Sequence, residues 1–148
     1  MIESMSPRSG RILREDDSYI NVADLFPGVV SGKVVGTGTA QFAADATANT
    51  LKAVTITPEG SVKSTLRLEV DNPSTDSDMT IEVYNTIGEK DYFVDWFTIP
   101  KKTTRANGLI VEAHTRLLPP LAGNIKIAVS NDTTLNSAVD VAVTIREV

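Results

Sequence analysis

Apolar and polar residues alternate along much of the chain beyond residue 33. In the run from Thr65 to Val70, the residues Leu66, Leu68 and Val70 fall on one face. The same alternation recurs at 81–83, 125–129 and 139–145. Such a period of two predicts β-strands with one dry face and one solvated face. No segment carries a sustained 3.6-residue apolar stripe with helix caps, so we predict no long helix.

Turn-forming residues separate these segments. They cluster at 72–75, at 107–108 and at 131–134, and residues 42–50 are expected to form one turn or a loop. Short alternating strands separated by turns predict an all-β protein, an antiparallel β-sandwich or jelly roll with a short N-terminal arm. We assign the arm and linker to residues 1–32 and the β-sandwich domain to residues 33–148.

Two stretches, 66–84 and 125–144, resemble each other. Each reads as a strand, a loop that opens with asparagine, and a second strand, and Asn72 aligns with Asn131. We interpret them as two equivalent β-hairpins that obey the same pattern rules, rather than as a duplication.

The segment 91–100 is bulky on both faces. Strict alternation would place Tyr92, Val94 and Trp96 on one side and Phe93, Phe97 and Ile99 on the other. Because large apolar side chains mostly lie inside, we expect Trp96 and the phenylalanines to be core. If one face is exposed, it would be a subunit interface or an aromatic surface formed by Tyr92 and Trp96.

Composition excludes several classes of function. The chain of 148 residues suits one domain, and its net charge of −5, with 14 scattered Lys and Arg, lacks the basic footprint of a nucleic-acid binder. It has no cysteine, which removes disulfides and thiolate zinc sites. Neither a signal peptide nor a membrane-spanning apolar run is evident, so we expect a soluble protein made in a cytoplasm, with no membrane partner.

No motif for catalysis or cofactor binding is complete. His114 is the only histidine and no GxSxG elbow accompanies it. The glycines of "GTGTAQ" (36–41) lack the third glycine of a dinucleotide fingerprint and are better read as a strand with a bulge or close packing. Glu82 and Asp95 are a conceivable acid pair, but nothing in the sequence brings them to a cleft. We therefore predict no enzyme and no cofactor.

Aspartates cluster at 15–17 and around the turn that Asp71, Asp76 and Asp78 flank. Calcium takes six to eight such oxygen ligands, but neither cluster has EF-hand spacing, and aspartates commonly cap turns. We predict no metal site.

The N-terminal segment 9–26 carries small apolar patches around a charged stretch. It is read either as a hairpin of Arg11 to Leu13 against Tyr19 to Val22, or as a single turn from Val22 to Phe26 capped by Asn21. Either form leaves an apolar face too small to be stable alone. It is expected to dock on its own domain or on a neighbouring one.

The stretch "GRILREDDSYINVADLF" resembles the start of small virion proteins of tailed bacteriophages, of the head-fibre or head-decoration kind. The matching positions are Gly10, Arg11, Glu15, Asp16, Asn21, Ala23, Asp24 and Leu25. The resemblance implies a non-enzymatic protein on the capsid surface of the virion, bound to the major capsid protein or other virion proteins. It also implies a homo-oligomer, for which we favour a trimer.

The leading hypothesis is therefore a virion structural protein that decorates or stabilises the capsid through its arm. The alternative is a carbohydrate-binding β-sandwich module that uses Trp96 or Tyr92 as a sugar platform. The arm interface is predicted to consist of apolar anchors with charged residues that set register, namely Arg11, Ile12, Leu13, Arg14, Tyr19, Ile20, Val22, Asp24, Leu25 and Phe26.

Overall fold

The computed structural model describes residues 4–5, 11–13, 19–21, 32–58 and 64–148. Antiparallel strands and turns make up these residues, which confirms the all-β prediction. None of the described segments forms a helix with the length and apolarity needed to cross a membrane.

The N-terminal strands form a sheet of their own. Strands β1 (Ser4–Met5), β2 (Arg11–Leu13) and β3 (Tyr19–Asn21) pair antiparallel in the order β1-β2-β3, with Leu13 opposite Tyr19. The predicted hairpin is confirmed, and its second strand ends at Asn21. The alternative turn over 22–26, and the interface predicted for the side chains of 11–26, lie outside the described residues.

Among the described residues, the main body has ten strands, of which eight longer ones form two sheets and two short ones form a small hairpin. The strands are β4 (Val34–Phe42), β5 (Leu51–Ile56), β6 (Leu66–Asp71), β7 (Met79–Ile87), β8 (Lys90–Ile99), β9 (Thr103–Thr104), β10 (Ile110–Val111), β11 (Ala113–Leu118), β12 (Asn124–Asn131) and β13 (Val139–Glu147). Sheet I has the order β11-β6-β13-β4, and sheet II has the order β5-β12-β7-β8. Strands β9 and β10 pair with each other.

The strand order is that of a jelly roll. Apart from the β9–β10 hairpin, the chain from β4 to β13 crosses between the two sheets at every step except β7–β8, where an antiparallel hairpin stays in sheet II. Two four-stranded sheets interleaved in this way form the double Greek key of a jelly roll. The structure thus selects the jelly roll from the two architectures that the sequence predicted.

The core lies between the two sheets, where the alternating apolar positions meet. Leu66, Leu68 and Val70 of sheet I are at most 1% exposed, and Ile125 and Ile127 of sheet II are fully buried. The period-two faces predicted from the sequence are therefore the buried faces. Aligned packing of two such faces is the usual core of a sandwich.

The two similar stretches are arches between the sheets, so their interpretation as hairpins is wrong. Strand β6 pairs with β11 and β13, whereas β7 pairs with β12 and β8. Alternation identifies a strand's buried face but not its neighbours, and an arch has the same local pattern as a hairpin. Asn72 and Asn131 nevertheless occupy comparable places, because each is fully buried where the first strand ends.

Asn131 fastens two loops at this end of the sandwich, residues 43–50 between β4 and β5 and residues 132–138 between β12 and β13. Its side-chain amide donates to the carbonyls of Ala46, Thr47 and Thr133 at 3.0–3.2 Å, and its Oδ1 accepts the Thr50 N–H at 3.0 Å. These bonds satisfy backbone groups that would otherwise be buried without partners.

Asn72 acts in the same way at its own loop. Its amide donates to the carbonyls of Ser77 and Pro100, both at 3.2 Å, and its Oδ1 accepts the Ser74 N–H at 3.2 Å. Because the Pro100 carbonyl follows β8 directly, this bond also fixes the end of that strand.

Gly36 and Gly38 allow close packing between the edges of the two sheets. An added Cβ would lie 2.5 Å from Ile56 Cγ2 at Gly36 and 2.2 Å from Val54 Cγ1 at Gly38. A register shift between Ile145 and Arg146 marks a bulge nearby. The prediction of a glycine strand with a bulge or close packing is confirmed in both respects.

Gly38→Ala should destabilise the protein by about 1–3 kcal/mol, because the new methyl group overpacks the Val54 side chain. Urea unfolding of the variant measures the loss. The matched control is Thr39→Ala, an exposed neighbour on the same strand, which should change stability by less than about 0.5 kcal/mol.

Combining Gly38→Ala with Val54→Ala should cost less than the sum of the two single changes, because removing the valine methyl groups makes room for the alanine. Additive losses would show that the contact with Val54 does not limit this position.

Candidate functional site

Strand β8 contains one extra residue relative to its neighbour β7. Val83 pairs with Asp95 and Tyr84 pairs with Phe93, which leaves Val94 without an opposite residue. Such a bulge interrupts the alternation of side chains. As a result Phe93 and Trp96, three positions apart, point to the same face.

That shared face is the outer face of sheet II. Trp96 lies opposite Glu82, and Phe93 lies opposite Tyr84, whereas the intervening β7 residue Val83 is fully buried on the inner face. Trp96 is 54% exposed and Phe93 is 62% exposed. The prediction that they belong to the core is wrong for both.

Two other residues of β8 agree with the prediction that its large apolar side chains belong to the core. Ile99 is buried, and Phe97 is half-buried against the core. Tyr92 is 52% exposed but lies opposite Asn85, on the inner side of the sheet. Tyr92 and Trp96 are thus both exposed, as predicted for an aromatic surface, but they do not share a face.

We call the outer-face side chains around the bulge the platform: Tyr84, Phe93 and Trp96, with Glu82, Asp91 and Lys126. The rings of Tyr84 and Phe93 meet edge to face, with centroids 5.9 Å apart and an interplanar angle of 75°. This is a favourable arrangement for an aromatic pair, and it fixes the orientation of Phe93.

Hydrogen bonds orient the polar side chains of the platform. The Tyr84 hydroxyl donates to Glu82 Oε2 at 2.6 Å, and this bond raises the pKa of Tyr84, with smaller effects from burial and nearby negative charge. Asp91 accepts bonds from Thr86 Oγ1 at 2.6 Å and from Lys126 Nζ at 2.9 Å. Those two bonds lower the pKa of Asp91, so it remains a carboxylate acceptor.

Trp96 and Glu82 belong to a row of residues that lie opposite one another on neighbouring strands, and small residues continue this row across the sheet. Ala128 lies opposite Glu82, and Ala53 lies opposite Ala128. Since an alanine side chain is a single carbon, the sheet is low at this point. Of the two alanines only Ala53 is exposed, whereas Ala128 is buried, at 6% exposed.

Asp95 supports the platform from the inner side. Its Oδ1 accepts the backbone N–H of Trp96 at 2.8 Å, and its Oδ2 accepts Arg116 Nε at 2.7 Å. The Arg116 guanidinium also lies 5.2 Å from the centroid of the Phe97 ring. Because Arg116 belongs to sheet I, these contacts tie the bulged edge of sheet II to the opposite sheet.

The other candidates from the sequence do not assemble into a site. Glu82 faces outward and Asp95 lies opposite the inward-facing Val83, so they do not form an acid pair on one surface. His114 is half-buried opposite Val70, and its Nε2 has no hydrogen-bond partner among the described residues.

The loop aspartates cap backbone, as the sequence suggested. Asp76 Oδ2 accepts the Asn136 N–H, and Asp78 Oδ1 accepts the Lys101 N–H. Within 32–58 and 64–148, no three His, Cys, Asp or Glu side chains gather as metal ligands would.

The platform combines exposed aromatic side chains, two carboxylates, a phenol and an ammonium group within a few strand spacings. Such a surface can stack on the apolar face of a ligand and exchange hydrogen bonds with polar groups at its rim. Sequence reasoning identified Trp96 but missed Phe93, Tyr84 and Lys126. Alternation around Glu82 and Lys126 marks Tyr84 and Lys126 as outward-facing, but only the bulge places Phe93 beside them.

Comparison with known proteins gives similarity in fold only. No family model and no curated protein matches the chain. The mitogen from Yersinia pseudotuberculosis aligns with a TM-score of 0.48 at 9% identity, covering 78% of this chain and 86% of that one. A carbohydrate-binding module from Cellvibrio mixtus lichenase 5A, solved with cellotriose, aligns with a TM-score of 0.44 at 13% identity, covering 78% and 98%.

A structure from work on promiscuous carbohydrate-binding modules of the β-sandwich superfamily aligns with a TM-score of 0.36 at 8% identity. That alignment covers 77% of this chain and 57% of the other. At such scores these likenesses carry no argument about function, which depends on the platform itself.

Acid should weaken the Asp95 clamp. The hydrogen bond from Arg116 lowers the pKa of Asp95 below its ordinary 3.8, so the stabilisation is complete above that value and is lost as pH falls through the lower folded-state pKa. Urea unfolding at pH 7, 4 and 2.5 should show Asp95→Asn less stable than wild type by about 0.2–1 kcal/mol at pH 7, with the gap closing at the lowest pH.

Asp140→Asn is the matched control, because this exposed carboxylate on β13 undergoes the same charge change away from the clamp. Its difference from wild type should stay within about 0.5 kcal/mol across the same pH range. A gap for Asp95→Asn that is the same at every pH would contradict the role given to the Arg116 contact.

Proposed function

We propose that the protein is a non-enzymatic, carbohydrate-binding β-sandwich module that takes its ligand on the platform. One observation carries the proposal: Trp96 and Phe93 are both more than half exposed on the same face, beside polar side chains that are already oriented. Exposed large aromatics on one face are costly to leave in water without a ligand or partner.

The chemistry of the platform suits a sugar. A pyranose ring presents C–H bonds on its faces and hydroxyl groups around its rim, so it can stack on an indole while its hydroxyls reach neighbouring polar groups. Glu82 accepts hydrogen bonds, Lys126 donates them, and the Tyr84 hydroxyl can do both. The Tyr84–Glu82 and Lys126–Asp91 hydrogen bonds hold these side chains in place before a ligand arrives, which reduces the entropy lost on binding.

The openness of the surface favours binding rather than bond cleavage. Trp96 and Phe93 are both more than half exposed, and the strand that carries them, β8, is an edge strand. Hydrolysis of a glycoside requires two carboxyl groups that flank the bond, whereas Glu82 and Asp95 lie on opposite faces of sheet II. Asp91 shares the outer face with Glu82 but lies opposite the residue four positions further along β7, which is about 13 Å at the spacing of a strand. A flat face can hold an internal stretch of a polysaccharide.

Trp96→Ala should weaken glycan binding by about 10- to 30-fold or more, because truncation removes the stacking surface of a central aromatic. Screening the wild-type protein on a panel of soluble polysaccharides provides the ligand, and titration calorimetry gives the affinities. Trp96 is the only tryptophan in the chain, so its fluorescence in the wild type should also change on binding.

Tyr92→Ala is the matched control, since Tyr92 is equally exposed but lies on the inner side of the sheet. It should bind within about twofold of wild type. The proposal fails if no glycan on the panel binds, or if Trp96→Ala and Tyr92→Ala bind alike.

The virion function suggested by residues 9–26 remains a second proposal. One observation favours it: β1, β2 and β3 pair with one another and, among the described strands, with none of sheets I and II. A separate small sheet suits an arm that docks on a capsid or on sister subunits. The two proposals are compatible, because a particle-bound jelly roll can also present a glycan-binding face.

Deleting residues 1–28 should leave a folded jelly roll, because the strands of sheets I and II pack against one another in a common core. If the arm mediates assembly, the full chain should be an oligomer by light scattering and the truncated chain a monomer. An oligomer of the same size after truncation would exclude the arm as the assembly element.

A further inference from the structure

The charges of the platform are unevenly compensated. Glu82 and Asp91 each contribute −1 and Lys126 contributes +1, a sum of −1. Lys126 pairs with Asp91 at 2.9 Å. In the described parts of the chain, no cationic side chain lies within 4 Å of the Glu82 carboxylate, which is held instead by the Tyr84 hydroxyl.

Glu82 also occupies the position closest to the stacking surface. It lies directly opposite Trp96 on the neighbouring strand, and neighbouring strands are about 4.8 Å apart. Lys126 lies one strand further away and in the row of Phe93, not of Trp96. A charged substituent on a sugar stacked over Trp96 would therefore meet the carboxylate before it met the ammonium group.

Trp96 and Phe93 follow one another along β8 and so define the direction in which a ligand can run. Their partners Glu82 and Tyr84 are two residues apart on β7, which places Trp96 and Phe93 about 7 Å apart along the strand. Consecutive rings of a linear glycan can contact both side chains when the chain runs along β8. Both side chains are more than half exposed on this edge strand, so the track between them is accessible.

Resting on the carbohydrate-binding function proposed above, we propose that the ligand is an uncharged, linear glycan that lies along β8, and that Glu82 discriminates against acidic glycans. Repulsion between two unit charges about 5–6 Å apart at a wet surface corresponds to about a 4- to 10-fold loss of affinity. Recognition of carboxylates or sulfates ordinarily uses unpaired Arg or Lys side chains. The single lysine of the platform is already paired with Asp91.

The test uses pairs of glycans that differ at C6, where the acidic member has a carboxylate and the neutral member a hydroxymethyl group. The first pair is polygalacturonate and its carboxyl-reduced galactan, and the second is a C6-oxidised cello-oligosaccharide and the parent cellohexaose. Affinities are measured by calorimetry for the full-length wild type and for Glu82→Gln, at low salt and at 0.5 M NaCl. Glu82→Gln removes the charge but keeps an oxygen that can accept the Tyr84 hydrogen bond.

For any pair in which binding is detected, the wild-type protein should bind the neutral glycan at least about fourfold more tightly than the acidic one. Glu82→Gln should reduce that difference to within twofold by strengthening the acidic ligand, and 0.5 M salt should reduce it in wild type. Asp140→Asn makes the same charge change on the outer face of sheet I and should leave the difference unchanged.

The outcomes separate this inference from the proposed function. If an acidic polymer binds as tightly as its neutral partner and the binding is lost in Trp96→Ala, the platform binds glycans but the charge discrimination is wrong. If Glu82→Gln leaves the ratio of the affinities for the neutral and the acidic glycan unchanged, Glu82 is not the source of the discrimination and the inference is overturned. If no neutral or acidic glycan binds, both the inference and the proposed function fail.

Discussion

The extra residue in β8, Val94, is the feature on which the proposed site depends. Without it, Phe93 and Trp96 would point to opposite faces of sheet II, and one of them would turn to the inner face. The bulge also perturbs an exposed edge strand, and bulged edges resist pairing with strands of other molecules. The Asp95 carboxylate, bonded to the Trp96 N–H and to Arg116, holds this irregular backbone against sheet I.

The jelly roll supplies the rigidity that such a surface requires. Because nearly every connection crosses between the sheets, the strands of the platform share one core with the strands behind them. Asn72 and Asn131, both fully buried, fasten the crossing loops by hydrogen bonds to backbone groups. A binding face on packed strands is held more precisely than one on loops, and less entropy is lost when it takes a ligand.

The sequence predicts local features well and spatial relations poorly. Alternation correctly identified the buried faces of Leu66, Leu68 and Val70, and the pairing of Arg11 to Leu13 with Tyr19 was also found. Alternation led to the wrong prediction of a hairpin after Asn72, where the structure has an arch. The sheet that a strand joins depends on the strands it pairs with, and these lie far away in the sequence. Sequence reasoning placed Trp96 in the core because a one-residue bulge and an uncovered outer face leave no mark on composition or period.

The central claim is that the outer face of sheet II around the bulge binds neutral glycans. The most direct test is an NMR titration of the uniformly ¹⁵N-labelled protein with neutral hexasaccharides, followed through its backbone amides and the one indole N–H. The account predicts that the shifts of the Trp96 indole and of amides in β7, β8 and β12 change, while those of β4 and β13 do not. Changes confined to the loops around Asn72 and Asn131, or no change with any neutral glycan, would contradict it.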